Sequence, residues 1–423
     1  MRSPAREADV VVVGGGAAGL RAASLLGGRG LDVVVIEARE RLGGRILTVA
    51  DPDWPVPIEL GAEWIHGEAS ETMSVFDESE AVDVPDEHLL SREDGSLDTL
   101  SNFWERLARI RDFVPDQREA TVAEALGEFA EREPNAARLA RSFVEGFEAA
   151  DPAKMSGRAL SFGDDGAMRQ RRPAPGYDTL VQRLERRIAS QGEEIHVGAA
   201  VERIEWSRGR VLVRYRQGGE AREIHGRTVV ITVPLPILRT LEIDPPIESI
   251  DLAFASLHMG EVVKMLLRFR TPFWENRFGR QMAFLHDPGA RFHTWWTTAP
   301  LRAAVLVAWC GGPKAASLAA MSETSRLGIA LDELATLLGV ERSELDERFV
   351  DWRHHDWSAD PWSRGAYSYP GIGGEAARHA LTAPVEETIF FAGEALSEKN
   401  YGTVEGALET GRRAAEAVVA SGL

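Results

Sequence analysis

DVVVVGGGAAGLRAASLLGGRGLDVVVIE, residues 9–37, decides the fold. Asp9 to Val13 carries a continuous apolar run, the pattern of a strand buried on both faces. Six residues of glycine and alanine follow, Gly14 to Gly19, and then Leu20 to Leu26, whose alanines and leucines suit a packed helix. Leu31 to Glu37 reads as a second buried strand. Strand, glycine turn, helix and strand in this order open a parallel α/β sheet. Gly14 permits the tight turn, Gly16 lets a pyrophosphate approach the backbone, and Gly19 lets helix and strand pack closely. Ala17 and Ala18 begin the helix, whose free amides and positive dipole end suit phosphate. Glu37 ends the second strand, where a carboxylate can bind ribose hydroxyls. Together these features predict a dinucleotide site.

The next residues narrow the dinucleotide. Ala38 to Arg45 reads ARERLGGR, with Gly43 and Gly44 for close backbone approach and Arg39, Arg41 and Arg45 beside them for phosphates. A dehydrogenase that binds only NAD has no need of this extension. Further on, Glu71 to about Gln170 shows apolar residues three and four apart, which predicts mostly helices. PGYDTLVQRLERRIAS predicts another helix, and Glu194 to Pro234 predicts strands at IHV, VERIEW, VLVRYR, AREIH and TVVITVP, separated by glycine-bearing turns. A mixed block from about Pro245 to Tyr369 holds a strand at EVVKMLLRF and a helix near SRLGIALDELATLLG. TIFFAGEAL and TVEGALETGRRAAEAVVA close the chain as strand, glycine loop and helix.

Composition bounds the partners. The 423 residues carry 66 acids against 48 bases, a net charge of −18, which disfavours nucleic acid and anionic membrane and suits cationic ligands. One cysteine, Cys310, excludes an intrachain disulfide framework and any multi-cysteine metal site, and it reads as buried packing. His354 and His355 are adjacent, so they read as surface or packing residues, and no metal site is expected. The Arg169–Arg172 run reads as a solvated charge cluster. No signal peptide or membrane anchor is expected, which predicts a cytoplasmic protein.

ARERLGGR after Glu37 resembles the flavin-containing amine oxidase family, which includes monoamine oxidases, polyamine oxidases and histone lysine demethylases. ELGAEWIHG (59–67), PGYDTLVQRL (175–184), Val201 in AAVERIEW, GEVVKMLLRFRTPFW (260–274), WSADPWSRGAY (357–367) and FAGEALSEKNYGTVEGALETGRRAA (391–415) are similar to family segments in the family's order. The helical blocks within 71–170 and 275–350 match only loosely. The resemblance implies an α/β fold, a glutathione-reductase-like FAD-binding domain with an interleaved α+β substrate domain. The expected bounds are 1–67, 172–246 and 371–423 for the FAD domain, and 68–171 and 247–370 for the substrate domain.

It also implies roles. Gly14, Gly16, Ala17, Ala18, Gly19, Glu37, Ala38, Arg39, Gly44, Arg45, Gly61, Ala62, Val201, Trp357, Gly393, Glu394, Thr403 and Val404 are the expected FAD contacts. Lys264, one of only four lysines, sits in an apolar strand, and by resemblance it holds a water at the flavin and assists reoxidation by O2. Tyr367 matches one wall of the family's aromatic cage. Thr403 stands where the second tyrosine is expected, and Tyr401 lies two residues before it, so the cage is half present. His66 matches a position that faces the substrate tunnel in several polyamine oxidases, with Glu63 a lesser candidate. Trp357 and Trp362 offer either aromatic walls or packing. Ala366 replaces the attachment cysteine of monoamine oxidases, so FAD is expected to be held non-covalently.

The expected reaction is oxidation of a cationic small-molecule amine, with O2 reduced to H2O2, by a monomer or homodimer. Catalytic roles fall to Lys264, His66 and Tyr367, and substrate contacts to Glu63, Trp357, Thr403 and Tyr401. Between Ile46 and Ser91 twelve acids occur with no lysine or arginine, and with the incomplete cage this favours a di- or polyamine. A monoamine oxidase is the alternative. An L-amino-acid oxidase is disfavoured because no arginine follows the flavin-adjacent glycine-alanine. A desaturase or porphyrinogen oxidase, a histone demethylase and a flavoprotein without turnover complete the field.

Overall fold

The computed structural model describes residues 6–92, 94–100, 119–159, 169–280 and 282–422. The opening strand, Arg6–Val13, pairs in parallel with Val33–Ile36 on one side and with Glu220–Ile231 on the other. Glu194–His196 extends this parallel sheet beyond Val33–Ile36, and Ile389–Phe391 extends it beyond Glu220–Ile231. Val10 to Val13 are buried because helices cover one face and apolar residues of the antiparallel strands within 199–231 pack on the other. Helix Ala17–Gly27 packs on one face beside Asp178–Ser190 and the closing helix Val404–Ala420. Contact is close at Gly411, where a Cβ would lie 2.3 Å from the Ala18 carbonyl.

Ala199–Ser207, Arg210–Gln217 and Glu220–Ile231 form an antiparallel meander in the same sheet. One expectation is corrected here. AREIH and TVVIT are not two strands separated by a turn at Gly226; they form one twelve-residue strand. Gly226 pairs with Ala8 and Val211, and a Cβ on it would sit 3.0 Å from methyls of both Val11 and Val211. The glycine marks crowding within a strand.

A second sheet of seven strands runs in the order Phe349–His354, Val262–Phe269, Val305–Gly311, Thr294–Thr297, Phe284–His286, His88–Ser91, Leu97–Thr99. Helix Glu323–Leu338 joins its apolar core. The chain is therefore α/β, with two mixed sheets and helices packed against them.

The block from Glu71 is less helical than its periodicity predicts. Ala81–Asp83, His88–Ser91 and Leu97–Thr99 are strands, while Val122–Ala130 and Pro134–Gly146 are helices. The rest of that expectation, at 101–118 and 160–168, lies outside the described residues. Gln170–Pro173 is a buried strand between Ile65–His66 and Ala81–Asp83. This overturns the solvated reading for Arg171 and Arg172, which are 1% and 7% exposed, while Arg169 is exposed as expected. Strand pairing at both edges carries Arg171 and Arg172 inside.

Candidate active site

A cavity of about 340 Å3 runs from the first glycine turn to the second sheet. The residues chosen from sequence line it, except Gly19 and Arg41. Gly19 is packed against the turn instead, where a Cβ would lie 1.9 Å from the Gly14 carbonyl.

The nucleotide end is built from backbone. Gly14 has φ +109°, and Gly43 and Gly44 have φ +95° and +59°, conformations that favour glycine. The Gly43 N–H donates to the Gly15 carbonyl at 2.8 Å, which places the two glycine turns face to face. Gly16 caps the helix without any side-chain cap, leaving the amides at Ala17 and Ala18 beside the cavity. The Glu37 carboxylate accepts from the Gly15 and Arg39 amides at 2.6 and 2.8 Å, which fixes it at the strand end. A pyrophosphate and a ribose fit this cradle, and Val201 lines its far wall.

Arg39 and Arg45 line the cavity, and all three arginines of this segment brace its walls. Arg41 donates to the carbonyls of Leu42, Gly44 and Ile46, bracing the second turn. Arg39 is held by Asp360 at 2.6 Å and by the Ser363 hydroxyl. Arg45 donates to Glu394 at 2.8 Å and to the Ala366 carbonyl. Glu394 also accepts from the Ser368 hydroxyl and the Gly402 amide, so one buried carboxylate ties three segments of the wall.

Deeper in, charge and aromatic rings replace backbone. Lys264 is buried on strand Val262–Phe269, and its ammonium lies 2.7 Å from Glu63 Oε2 and donates to the Gly61 carbonyl at 3.1 Å. Glu63 Oε1 is 2.9 Å from Arg172 and accepts from the Trp296 indole at 3.1 Å. Burial alone would raise the Glu63 carboxyl, but Lys264 and Arg172 hold it below its usual range. Glu63 is therefore a bridging counter-ion, with neither oxygen spare for an incoming cation.

The His66 ring lies edge-on to Phe147 at 5.4 Å, and burial lowers its pKa to about 4, so it is neutral at physiological pH. Tyr367 donates to the Phe147 carbonyl at 2.7 Å, and its ring packs over Gly402. Thr403 adds no second cage wall. Its hydroxyl donates to the Asn400 carbonyl and accepts from the Gly406 amide, capping the last helix. The Tyr401 hydroxyl donates to the Ala159 carbonyl at 2.6 Å, with Arg378 over its ring. Trp357 is buried with its indole bonded to the Leu60 carbonyl, and its edge meets the space beside Gly61.

Sequence reasoning missed three features. Glu148 lines the cavity, buried, with its carboxyl hydrogen-bonded to Tyr401 and pushed up to about 7 by burial. Arg172 completes the Glu63 pair. Trp296, Trp309, Phe284, Phe143 and Phe147 supply most of the aromatic wall. The TWWT strand at 294–297 carried a signal, since its alternation sends one tryptophan to each face; Glu148 carried none.

The acidic stretch is also corrected. Asp51 pairs with Arg353, Glu71 with Arg21 and Arg412, Glu80 with Arg183, and Asp83 with Arg169. Bases from distant segments neutralise acids that look unopposed in sequence. His354 hydrogen-bonds the Lys264 carbonyl, and Cys310 is fully buried. Among the described residues, no group of side chains has metal-site geometry, and no helix is long and apolar enough to cross a membrane.

Residues 17–419 match the family model described as flavin containing amine oxidoreductase. Polyamine oxidase 2 of Arabidopsis thaliana is 28% identical over 98% of this chain and 89% of that protein. Flavin-containing amine oxidase B of Sus scrofa is 25% identical over 97% and 86%. Putrescine oxidase bound to putrescine superposes with a TM-score of 0.84 at 22% identity, over 99% of this chain and 100% of that one. Cyclohexylamine oxidase from Brevibacterium oxydans gives 0.82 at 23%, over 98% and 99%. The likeness to solved structures concerns the fold, and the match along the sequence carries the rest: the chain belongs to the flavin-containing amine oxidoreductase family.

Proposed function

We propose that this FAD-dependent amine oxidase acts on a di- or polyamine. The enzyme class follows from the family: an amine is oxidised to an imine, which hydrolyses, and O2 is reduced to H2O2. The preference for more than one nitrogen rests on Glu148, a buried carboxyl in a cavity whose other walls are mainly aromatic or neutral. One nitrogen must be uncharged at the reacting carbon, so an aromatic wall that disfavours the cation suits it. A second, protonated nitrogen needs a counter-charge, and Glu148 can supply it once ionised. The names of the polyamine oxidase relatives support the same reading.

FAD, when bound, supplies the two-electron acceptor. The rest falls to this chain's own residues. The turns at Gly14 and Gly44 and the helix start at Ala17 hold the pyrophosphate, and Glu37 holds the ribose. Lys264 positions a water on the oxygen side of turnover. Tyr367 and His66 line the amine path, with His66 neutral so that it does not repel a cation. Segments 1–67, 172–246 and 371–423 carry the cofactor, and 68–171 and 247–370 shape the substrate arm. Ala366 leaves no cysteine for covalent attachment, so acid precipitation is expected to release free FAD; flavin retained on the polypeptide would refute that.

A peroxide assay over spermidine, spermine, putrescine, benzylamine and several amino acids tests the reading. Higher kcat/KM for the di- and polyamines is the expected result. A clear preference for benzylamine would establish the monoamine alternative.

A further inference from the structure

Three buried charges lie in a row beside the cavity: Arg172, Glu63 and Lys264, with side chains 8%, 4% and 3% exposed. They come from three separate segments: strand Gln170–Pro173, the loop before Ile65, and strand Val262–Phe269 of the second sheet. Each member is held from more than one direction. Arg172 stacks over the Trp64 ring at 4.6 Å and donates to the Thr297 carbonyl at 3.1 Å. Trp296 donates its indole N–H to Glu63, while its ring lies 5.8 Å from the Lys264 ammonium.

Counting charge along the row gives plus, minus, plus. A Lys264–Glu63 pair alone would be neutral, and a lysine of that kind could orient a water but would present little field. Burying two cations on one carboxylate is costly, and a merely structural pair would be satisfied with one. Glu59 stands nearby, held by the Tyr177 amide and the Thr48 hydroxyl, and burial pushes it up to about 7. Below that pH it adds little negative charge to cancel the excess.

We infer that Arg172 is a positioning residue which, through Glu63, fixes the Lys264 ammonium and leaves the row with one net positive charge at the cofactor cavity. This rests on the reading of Lys264 as the residue serving the oxygen half of turnover. A fixed positive charge in a dry site stabilises negative charge as it develops there, which favours both a reduced, more anionic cofactor and electron transfer to O2. Arg172 reaches neither substrate nor cofactor in this scheme. It acts by engaging one oxygen of Glu63, so that Lys264 takes the other and is not fully neutralised.

The test uses the FAD-loaded enzyme and two readouts, the midpoint potential of the bound flavin and its stopped-flow reoxidation by O2. Potentials are measured at about pH 6, where Glu59 is mostly protonated. Arg172→Met is expected to lower the potential and slow reoxidation roughly tenfold. Arg172→Lys, which keeps the charge, is expected to restore most of both. Glu63→Gln, nearly isosteric, removes the negative member and is expected to move the potential the opposite way. Opposite signs are what a charge row predicts, whereas general damage to packing would shift all variants together. An unchanged potential in Glu63→Gln, or movement in the same direction as Arg172→Met, overturns the inference. Glu63→Gln alone decides should Arg172→Met not fold. Lys264→Met fails differently: normal reoxidation there removes the reading of Lys264, while the potentials of the Arg172 and Glu63 variants still report the charge row.

Discussion

The two ends of the cavity are made of different material. At the nucleotide end the chain offers backbone: two glycine turns, a bare helix start and one carboxylate tied by two amides. At the substrate end it offers side chains drawn from separate strands, such as Lys264, Glu63, Arg172, Trp296 and Glu148. Backbone shape is set by neighbours in sequence, so the first end is specified within about forty residues. The second depends on which strands pair, a long-range outcome. The contrast predicts that single substitutions at the first end act on cofactor affinity, and at the second on rates and pH dependence.

The sharpest way to break this comparison is a pair of glycine substitutions. Gly16 has an ordinary extended backbone, and the nearest atom to an added Cβ is 4.0 Å away at Gly44. Gly16→Val should therefore leave the apoprotein folded, with an unchanged melting temperature, while its side chain fills the cradle. FAD affinity is expected to fall roughly 10- to 100-fold or more. Gly19→Ala should instead destabilise the fold itself, because its Cβ meets the Gly14 carbonyl at 1.9 Å. Thermal melts of both apoproteins with FAD titration of the first check this. Equal loss of melting temperature would mean that Gly16 too serves packing.

Lys264→Met probes the other end and should spare cofactor binding. Reoxidation of the reduced enzyme by O2 is expected to slow by roughly 100-fold, as when a preorganised electrostatic group is removed. Stopped-flow measurement of that half-reaction is the check, with reduction by amine much less affected. A variant that loses FAD while reoxidising normally would assign Lys264 to packing.

The same contrast explains what could be read in advance. DVVVVGGGAAG and ARERLGGR state their geometry locally, and the turn, the helix start and the strand-end carboxylate at Gly14, Gly16 and Glu37 were legible in them. Lys264 stood out as a rare lysine in an apolar strand. Its partner did not, because Glu63 and Arg172 are far apart in sequence and meet only when Ile65 pairs with Arg171. The arginine run looked solvated for the same reason. Gly226 misled in the opposite direction, since a glycine in a polar stretch suggests a turn unless the flanking strands are known to crowd it. Thr403 was placed by resemblance at the cage, and only the structure shows its hydroxyl spent on a helix cap.

Glu148 gives a pH signature that belongs to the substrate end alone. Its carboxyl is raised from an ordinary 4.5 to about 7, so the folded state holds this proton more tightly than the unfolded chain. The stability this confers is complete below about 4.5 and is lost as pH rises through about 7. Glu148→Gln should then gain stability relative to the parent above neutrality, read as a smaller fall in melting temperature with pH. If the carboxylate binds the second ammonium, kcat/KM for spermidine in the parent should rise through about pH 7 as Glu148 ionises. That rise should be missing in the Gln variant. An identical profile in both would remove Glu148 from substrate binding and leave it as buried structure.

The smallest effect concerns the acidic stretch from Ile46 to Ser91. Read as sequence, it suggests a funnel that gathers cationic amines and loses this advantage in salt. In the folded chain Asp51, Glu71, Asp77, Glu78, Glu80 and Asp83 have arginines within 4 Å, and Glu59 and Glu63 are buried, so eight of the twelve acids contribute little to a long-range field. What remains is the diffuse attraction of a surface with net charge −18. Raising salt from about 20 to about 200 mM is therefore expected to lower kcat/KM for spermidine by no more than about threefold. A neutralised pair cannot be screened further, whereas a row of free carboxylates can. A decline of tenfold or more over that range would mean the arginine pairs open in solution, returning the entrance to the electrostatic role its sequence suggests.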